Sequence, residues 1–115
     1  MPYHLFMKLI RTRVYDRKIR KLLSVDEVIA AEDEIAAHPE KWPVVQGTGG
    51  VRKARAARGG SGKSGGLRIM YYFWIREDTI YLLDVYAKNE QENITQAGKK
   101  LLRSIVEQLK EEDNA

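Results

Sequence analysis

Arg52, Lys53, Arg55, Arg58, Lys63 and Arg68 put six cations into 17 residues that contain no acid. Charges at that density repel one another and demand an anionic counterpart, of which nucleic-acid phosphate is the commonest. If the counterpart is RNA, the ribose 2′-hydroxyl can attack its own phosphate, so neither a protein nucleophile nor a metal is required. The protein then has to stabilise charge and move protons. Arginine and lysine suit the first task. For the second, a lysine needs cationic neighbours before it gives up a proton, and Lys53 has Arg52 and Arg55 beside it. Arg68 falls in a run of apolar residues, where a lone cation is costly unless something anionic meets it. Arg58 and Lys63 lie in a glycine-rich stretch and read as steering charges. A solvated basic loop with no ligand is the simpler alternative.

Other chemistries find little support. The chain has no cysteine, which removes thiol nucleophiles, thiolate metal sites and disulfides. Its two histidines, His4 and His38, stand far from the basic run and read as structural or surface residues. No metal-ligand spacing is present, and no cofactor is expected. Ala57 to Ser64, ARGGSGKS, is one residue away from a phosphate-cradling loop, with Ala57 where the first glycine belongs; Asp84 after Ile80 to Leu83 imitates the acidic strand end that accompanies it. Such a loop works because it opens directly into a helix, whose free amides hold the phosphates. Here Leu67 to Tyr72 comes next, a run of strand formers. The segment therefore reads as a hairpin loop, glycine-rich because it moves or admits something close.

The elements that must carry these residues can be read from periodicity. An opening strand alternates through Phe6, Lys8, Ile10 and Thr12 and suits a sheet edge. Tyr15, Ile19, Leu22 and Leu23 have helical spacing, with Arg17, Lys18, Arg20 and Lys21 on the opposite face. Ser24 and Glu27 form a capping-box signature for a second helix, whose buried stripe is expected at Val25, Val28, Ile29, Ile35 and Ala36 and whose end falls at His38-Pro39. The pair reads as a helical hairpin with one basic and one acidic outer face, the acids lying between Asp26 and Glu40. After the turn at Gly47, Gly49 and Gly50 come three strands, Val51–Ala56, Leu67–Ile75 and Thr79–Tyr86, the last two joined tightly through Arg76, Glu77 and Asp78. Both faces of Leu67–Ile75 are partly apolar, as in a central strand. Thr95 caps a final helix with a stripe of Leu101, Leu102, Ile105, Val106 and Leu109. The fold class is α+β: an N-terminal strand and helical hairpin packed on a small, mainly antiparallel sheet, with a C-terminal helix.

At 115 residues, 43% apolar and 31% charged, the chain has the makings of one core, so residues 1–115 are expected to form a single domain. The net charge of +4 and pI near 9.4 lean toward an anionic partner. The longest apolar run, Ile69 to Ile75, is seven residues, where a membrane span needs about 20. With no signal-peptide layout at the N-terminus, a soluble cytoplasmic protein that meets no membrane is expected.

Two segments resemble a known family. Gly47-Thr48-Gly49-Gly50-Val51-Arg52-Lys53-Ala54-Arg55, followed by the basic glycine-rich loop and Gly66-Leu67-Arg68-Ile69-Met70-Tyr71-Tyr72, is similar to RelE/HigB toxins of bacterial type II toxin–antitoxin systems. Leu82-Leu83-Asp84-Val85-Tyr86-Ala87-Lys88-Asn89-Glu90 resembles the close of the same domain. The resemblance implies a RelE-like fold and a ribosome-dependent endoribonuclease that cuts translated messenger RNA. Its implied partners are the ribosome, the message and a cognate antitoxin that usually also binds DNA, the toxin and antitoxin forming a hetero-oligomer. It implies catalytic or phosphate-binding roles for Lys53 and Arg55, transition-state stabilisation by Arg68, and a proton-donor or phosphate-contact role for Lys88. Arg52, Arg58, Lys63, Arg17, Lys18, Arg20 and Lys21 are then candidates for RNA or ribosome contact. Asn89 stands where better-known relatives carry an arginine, and Ile94 lies where some carry a catalytic tyrosine or histidine. Either the acid–base work is spread over lysines and arginines, or the activity is weak. Two alternatives share the architecture or the charge: a ParE-like toxin that inhibits DNA gyrase, and an RNA-binding module without turnover.

Overall fold

A computed structural model of the chain describes residues 7–59, 66–88 and 93–114. The elements run β1 (Lys8–Arg11), α1 (Arg13–Leu22), α2 (Val25–Ala37), β2 (Arg52–Ala56), β3 (Leu67–Trp74), β4 (Thr79–Ala87) and α3 (Gln96–Asn114). They form a four-stranded mixed sheet in the order β1-β4-β3-β2, with β1 parallel to β4 and the other two pairings antiparallel. The α+β class and the edge position of the first strand are as the sequence suggests. His4, Phe6, Lys63, Asn89 and Glu90 lie outside the described residues.

Local chemistry starts and stops these elements where capping rules require. Thr12 Oγ1 accepts the Tyr15 amide at the start of α1, and Ser24 and Glu27 complete a reciprocal capping box at the start of α2. Thr95 Oγ1 accepts the Gly98 amide at 3.0 Å, capping α3. The β3–β4 connection is a short 3₁₀ turn, Ile75–Glu77, closed by Asp78 in the left-handed region, a conformation aspartate tolerates. Between α2 and β2, Thr48 is buried and its hydroxyl serves both Val45 O and the Val51 amide. Gly50 in this turn has φ +123°, and a Cβ there would stand 3.2 Å from the Tyr72 ring.

Two clusters sandwich the sheet. On one face Tyr15, Ile19, Leu23, Ile35 and Ala36 of the helical pair meet Ala54, Leu67, Ile69, Tyr71, Ile80, Leu82, Val85 and Ala87. On the other, Leu102 and Val106 of α3 meet Val51, Met70, Leu83 and Tyr86. Both faces of β3 are apolar, as expected of a central strand: Leu67, Ile69, Tyr71 and Phe73 face the helical pair, while Met70 and Tyr72 face α3. Strand β4 breaks its own alternation. The register slips between Met70 and Tyr71, which pair with Asp84 and Leu82 and leave Leu83 as the extra residue of a bulge. Leu82 and Val85, three apart, consequently reach the same cluster, and Leu83 and Tyr86 reach the other.

The stripes expected on α2 and α3 need correction. Val25 is 75% exposed and Ile29 53%; of the expected stripe Ile35 and Ala36 are buried, and Glu32 is buried with them. Positions 28, 32 and 35 form the inward line, so a glutamate from the acidic segment points into the core rather than outward. It is tolerated because Tyr15 Oη donates to its Oε2 at 2.9 Å and the Arg11 guanidinium grips both carboxylate oxygens. Beside it the Tyr15 phenol is pushed well above the ordinary tyrosine range, mainly by burial and then by the Glu32 charge. On α3 the inward line runs through Leu102 and Val106, and Leu101 faces out.

Candidate nucleic-acid interface

The hairpin registers bring residues distant in sequence into one row. Arg55 of β2 pairs with Arg68 of β3, and Arg68 pairs with Tyr86 of β4. Directly opposed residues share a face, with Cβ atoms about 4.5–5.5 Å apart. Lys53 pairs with Met70 on this same α3-side face, one step along the strand pair. Lys88 follows Tyr86 by two residues, just past the end of β4, where its amide donates to Gly66 O at 3.1 Å. Gly66 has to be glycine: a Cβ there would lie 2.4 Å from Ala56 O, so the two strand ends meet as close as backbone allows. Arg68 and Lys88 thus lie toward the sheet end where β2 and β3 meet, and Lys53 stands two residues from Arg55 toward the middle of the same face.

Arg68 is the unusual member. It is 8% exposed, and among the described residues its guanidinium makes one hydrogen bond, a 3.3 Å contact to Leu67 O. No carboxylate among the described residues pairs with it. Asp84, the acid nearest along β4, is turned to α1, where its Oδ1 accepts Lys18 Nζ at 2.9 Å. A buried guanidinium left so underpaired is costly to the folded state, and an arriving anion removes that cost. Tyr86 is also 8% exposed, and its hydroxyl has no hydrogen-bond partner among the described residues. Burial raises the Tyr86 phenol above its ordinary range, against the opposing pull of the Arg68 charge.

The remaining basic candidates go elsewhere. Arg55 starts from the row, but its guanidinium lies over Trp42, 5.8 Å from the ring centroid. Arg52 spends its Nη1 on Glu40 O and Trp42 O, at 3.1 and 2.6 Å, and so ties down the chain leading to β2. Arg58 lies near Glu27, whose carboxyl is held below its ordinary range by the Ser24 and Gly59 amides and, to a smaller degree, by Arg58. Arg55 and Arg58 line a groove of about 790 Å³ between α2 and β2, with Glu27 and Glu34 across from them. Acids stand among the bases of that groove, whereas no carboxylate among the described residues pairs with Arg68. On α1, Lys18 is paired with Asp84 and Arg20 with Asp16, while Arg17 and Lys21 are exposed. The imitation of a phosphate loop breaks down at Leu67, where the chain enters β3 and not a helix, and Asp84 is an ion-pair partner of α1.

Sequence reasoning passed over Tyr86 as a site residue and Trp42 as the platform for Arg55. Tyr86 was findable only through the strand register, because nothing in its own segment links it to Arg68. No group of three or more metal-ligating side chains occurs among the described residues.

This arrangement of strand, helical pair, meander and final helix has known counterparts. The family profile described as the RelE toxin of the RelE/RelB toxin–antitoxin system matches residues 7–115. In fold, the chain is similar to one in the intact RelBE toxin–antitoxin complex of E. coli, with 17% identity, a TM-score of 0.54, and coverage of 69% of this chain and 93% of that one. It is likewise similar to a doubly substituted E. coli RelE toxin in the free state, at 19% identity and a TM-score of 0.55, with 80% and 90% covered. The chain belongs to the RelE toxin family, as a toxin of a type II toxin–antitoxin system. No helix among the described residues is long and apolar enough to cross a membrane.

Proposed function

We propose that this toxin cuts messenger RNA on the ribosome, with Lys53, Arg68 and Lys88 at the cleaved phosphate and Arg55 joining them by swinging off Trp42. The observation that carries the reading is the buried guanidinium of Arg68, which has no carboxylate partner among the described residues and shares its sheet face with Lys53. The RNA supplies its own nucleophile, the ribose 2′-hydroxyl. Arg68 meets the charge that builds on the phosphate oxygens, and the flanking lysines are the groups able to pass protons to and from the reacting oxygens. Arg17 and Lys21 are exposed and suit ribosome contact, whereas the charges of Lys18 and Arg20 already have partners. The E. coli RelBE complex supports a cognate antitoxin that holds the toxin inactive in a hetero-oligomer.

The test is induction of the gene alone, with mapping of reporter transcript ends. Discrete cuts within translated codons are expected, with translation stopping. Intact transcripts with a DNA-damage response would instead indicate a gyrase-inhibiting toxin of the same fold. Unimpaired growth would reduce the protein to an RNA-binding module.

A further inference from the structure

We propose that the Tyr86 hydroxyl and the Arg68 guanidinium form one two-donor site for a phosphate oxyanion, with Tyr86 a substrate-contacting residue of the RNA site. The inference deepens the nuclease reading and rests on it for the identity of the phosphate.

Tyr86 is more than nine-tenths buried, yet its hydroxyl finds no partner among the described residues. Buried tyrosine hydroxyls ordinarily do find one, so an orphan asks what it is for. Its direct cross-strand neighbour is Arg68, equally buried and without a carboxylate among the described residues. Two adjacent side chains on one sheet face therefore both have donor capacity to spare. Their placement depends on the β4 bulge. Unbroken alternation from Leu82 would put residue 86 on the helical-pair face; the extra residue Leu83 shifts it to the face of Arg68.

The chemistry of the pair selects its ligand. A guanidinium and a neutral phenol offer donors only where a ligand brings acceptors, and a tetrahedral oxyanion can take the fork of the arginine on one side and a hydroxyl on the other. Burial favours the protonated phenol, so at neutral pH Tyr86 is a donor and not a competing negative charge. Lys53 on the same face and Lys88 just past the end of β4 favour a polyanion over an isolated carboxylate.

The decisive experiment titrates the purified chain, free of any partner, with inorganic phosphate while monitoring the Tyr86 ring and Arg68 Nε signals by NMR. Wild type is expected to bind, Arg68→Ala to lose binding, and Tyr86→Phe to bind about 3- to 10-fold more weakly, with an unchanged or raised melting temperature. Phosphate affinity unaltered by Tyr86→Phe overturns the proposal. Acetate binding as tightly as phosphate, with the same loss in Tyr86→Phe, overturns it in favour of an acidic side chain from a partner protein. Message cleavage on programmed ribosomes, run in parallel, separates the two readings. Weaker phosphate binding by Tyr86→Phe in a protein whose wild type cuts no message keeps the two-donor site and removes the nuclease. Cleavage and phosphate binding both untouched by Tyr86→Phe keep the nuclease and remove Tyr86 from its site.

Discussion

Arg68 shows how a single side chain can be worth more to function than to folding. Its charge is buried beside Met70 and Tyr86, and no ion pair among the described residues repays that burial. Truncating it should therefore leave the protein folded. We expect Arg68→Ala to match or slightly exceed wild type in thermal stability, measured by circular dichroism, while message cleavage falls about 10²- to 10³-fold, the size typical of losing one preorganised donor at a transition state. A mutant that unfolds would mean the guanidinium is a structural strap, as Arg52 is through Glu40 O and Trp42 O. The contrast between these two arginines was not visible in their shared basic segment. Adjacent cations in a strand point to opposite faces, and only their neighbours decide which charge is spent.

Among the elements, α2 and β4 depart most from simple periodicity, and each departure has a cause. Helix α2 carries a glutamate inward, held by Tyr15 and Arg11. Removing that acceptor leaves a buried hydroxyl unpaired and a half-exposed guanidinium without its partner. Glu32→Ala is expected to lower stability by about 2 kcal/mol in urea unfolding, below the roughly 3–5 kcal/mol of a fully buried pair because Arg11 still reaches water. Phosphate binding at Arg68, on the opposite side of the sheet, should be unchanged in the folded fraction. Strand β4 gains one residue at Leu83 and thereby turns Tyr86 to Arg68. Capping signals were legible where they are local, as Ser24 and Thr95 show, whereas Thr12, read as part of the opening strand, proves to cap α1. The bulge was not legible, since it is a property of two strands together.

For the molecule as a whole, the two apolar clusters hold tyrosines whose ionisation is coupled to folding. Burial pushes the Tyr71 phenol up to about 12, against the opposing charge of Arg52, and the Tyr15 phenol is raised further still. In the unfolded chain both ionise near their ordinary value of about 10. Folded values above unfolded ones mean that their stabilising contribution is complete below about pH 10 and drains away as pH rises, for Tyr71 until about 12. Each such group removes roughly 1.4 kcal/mol per pH unit across its window. The urea midpoint is expected to hold steady from neutral pH to about 10 and then fall, with phenolate absorbance appearing together with unfolding. Tyr71→Phe, which also gives up the 2.7 Å bond to Pro39 O, should flatten part of that alkaline fall.

Much of this protein was written into the order of its residues: the α+β class, the caps that begin α2 and α3, the glycine-bounded meander and the concentration of charge between Arg52 and Arg68. Those features come from interactions within a few positions along the chain, where spacing alone specifies the outcome. Tertiary structure decided which cations remain unpaired and what stands next to them. It turned Arg55 over Trp42, engaged Lys18 with Asp84, sent Glu32 inward and set Tyr86 against Arg68. Strand register and a one-residue bulge choose the face of every later side chain in the strand, and they are settled only when distant segments pack.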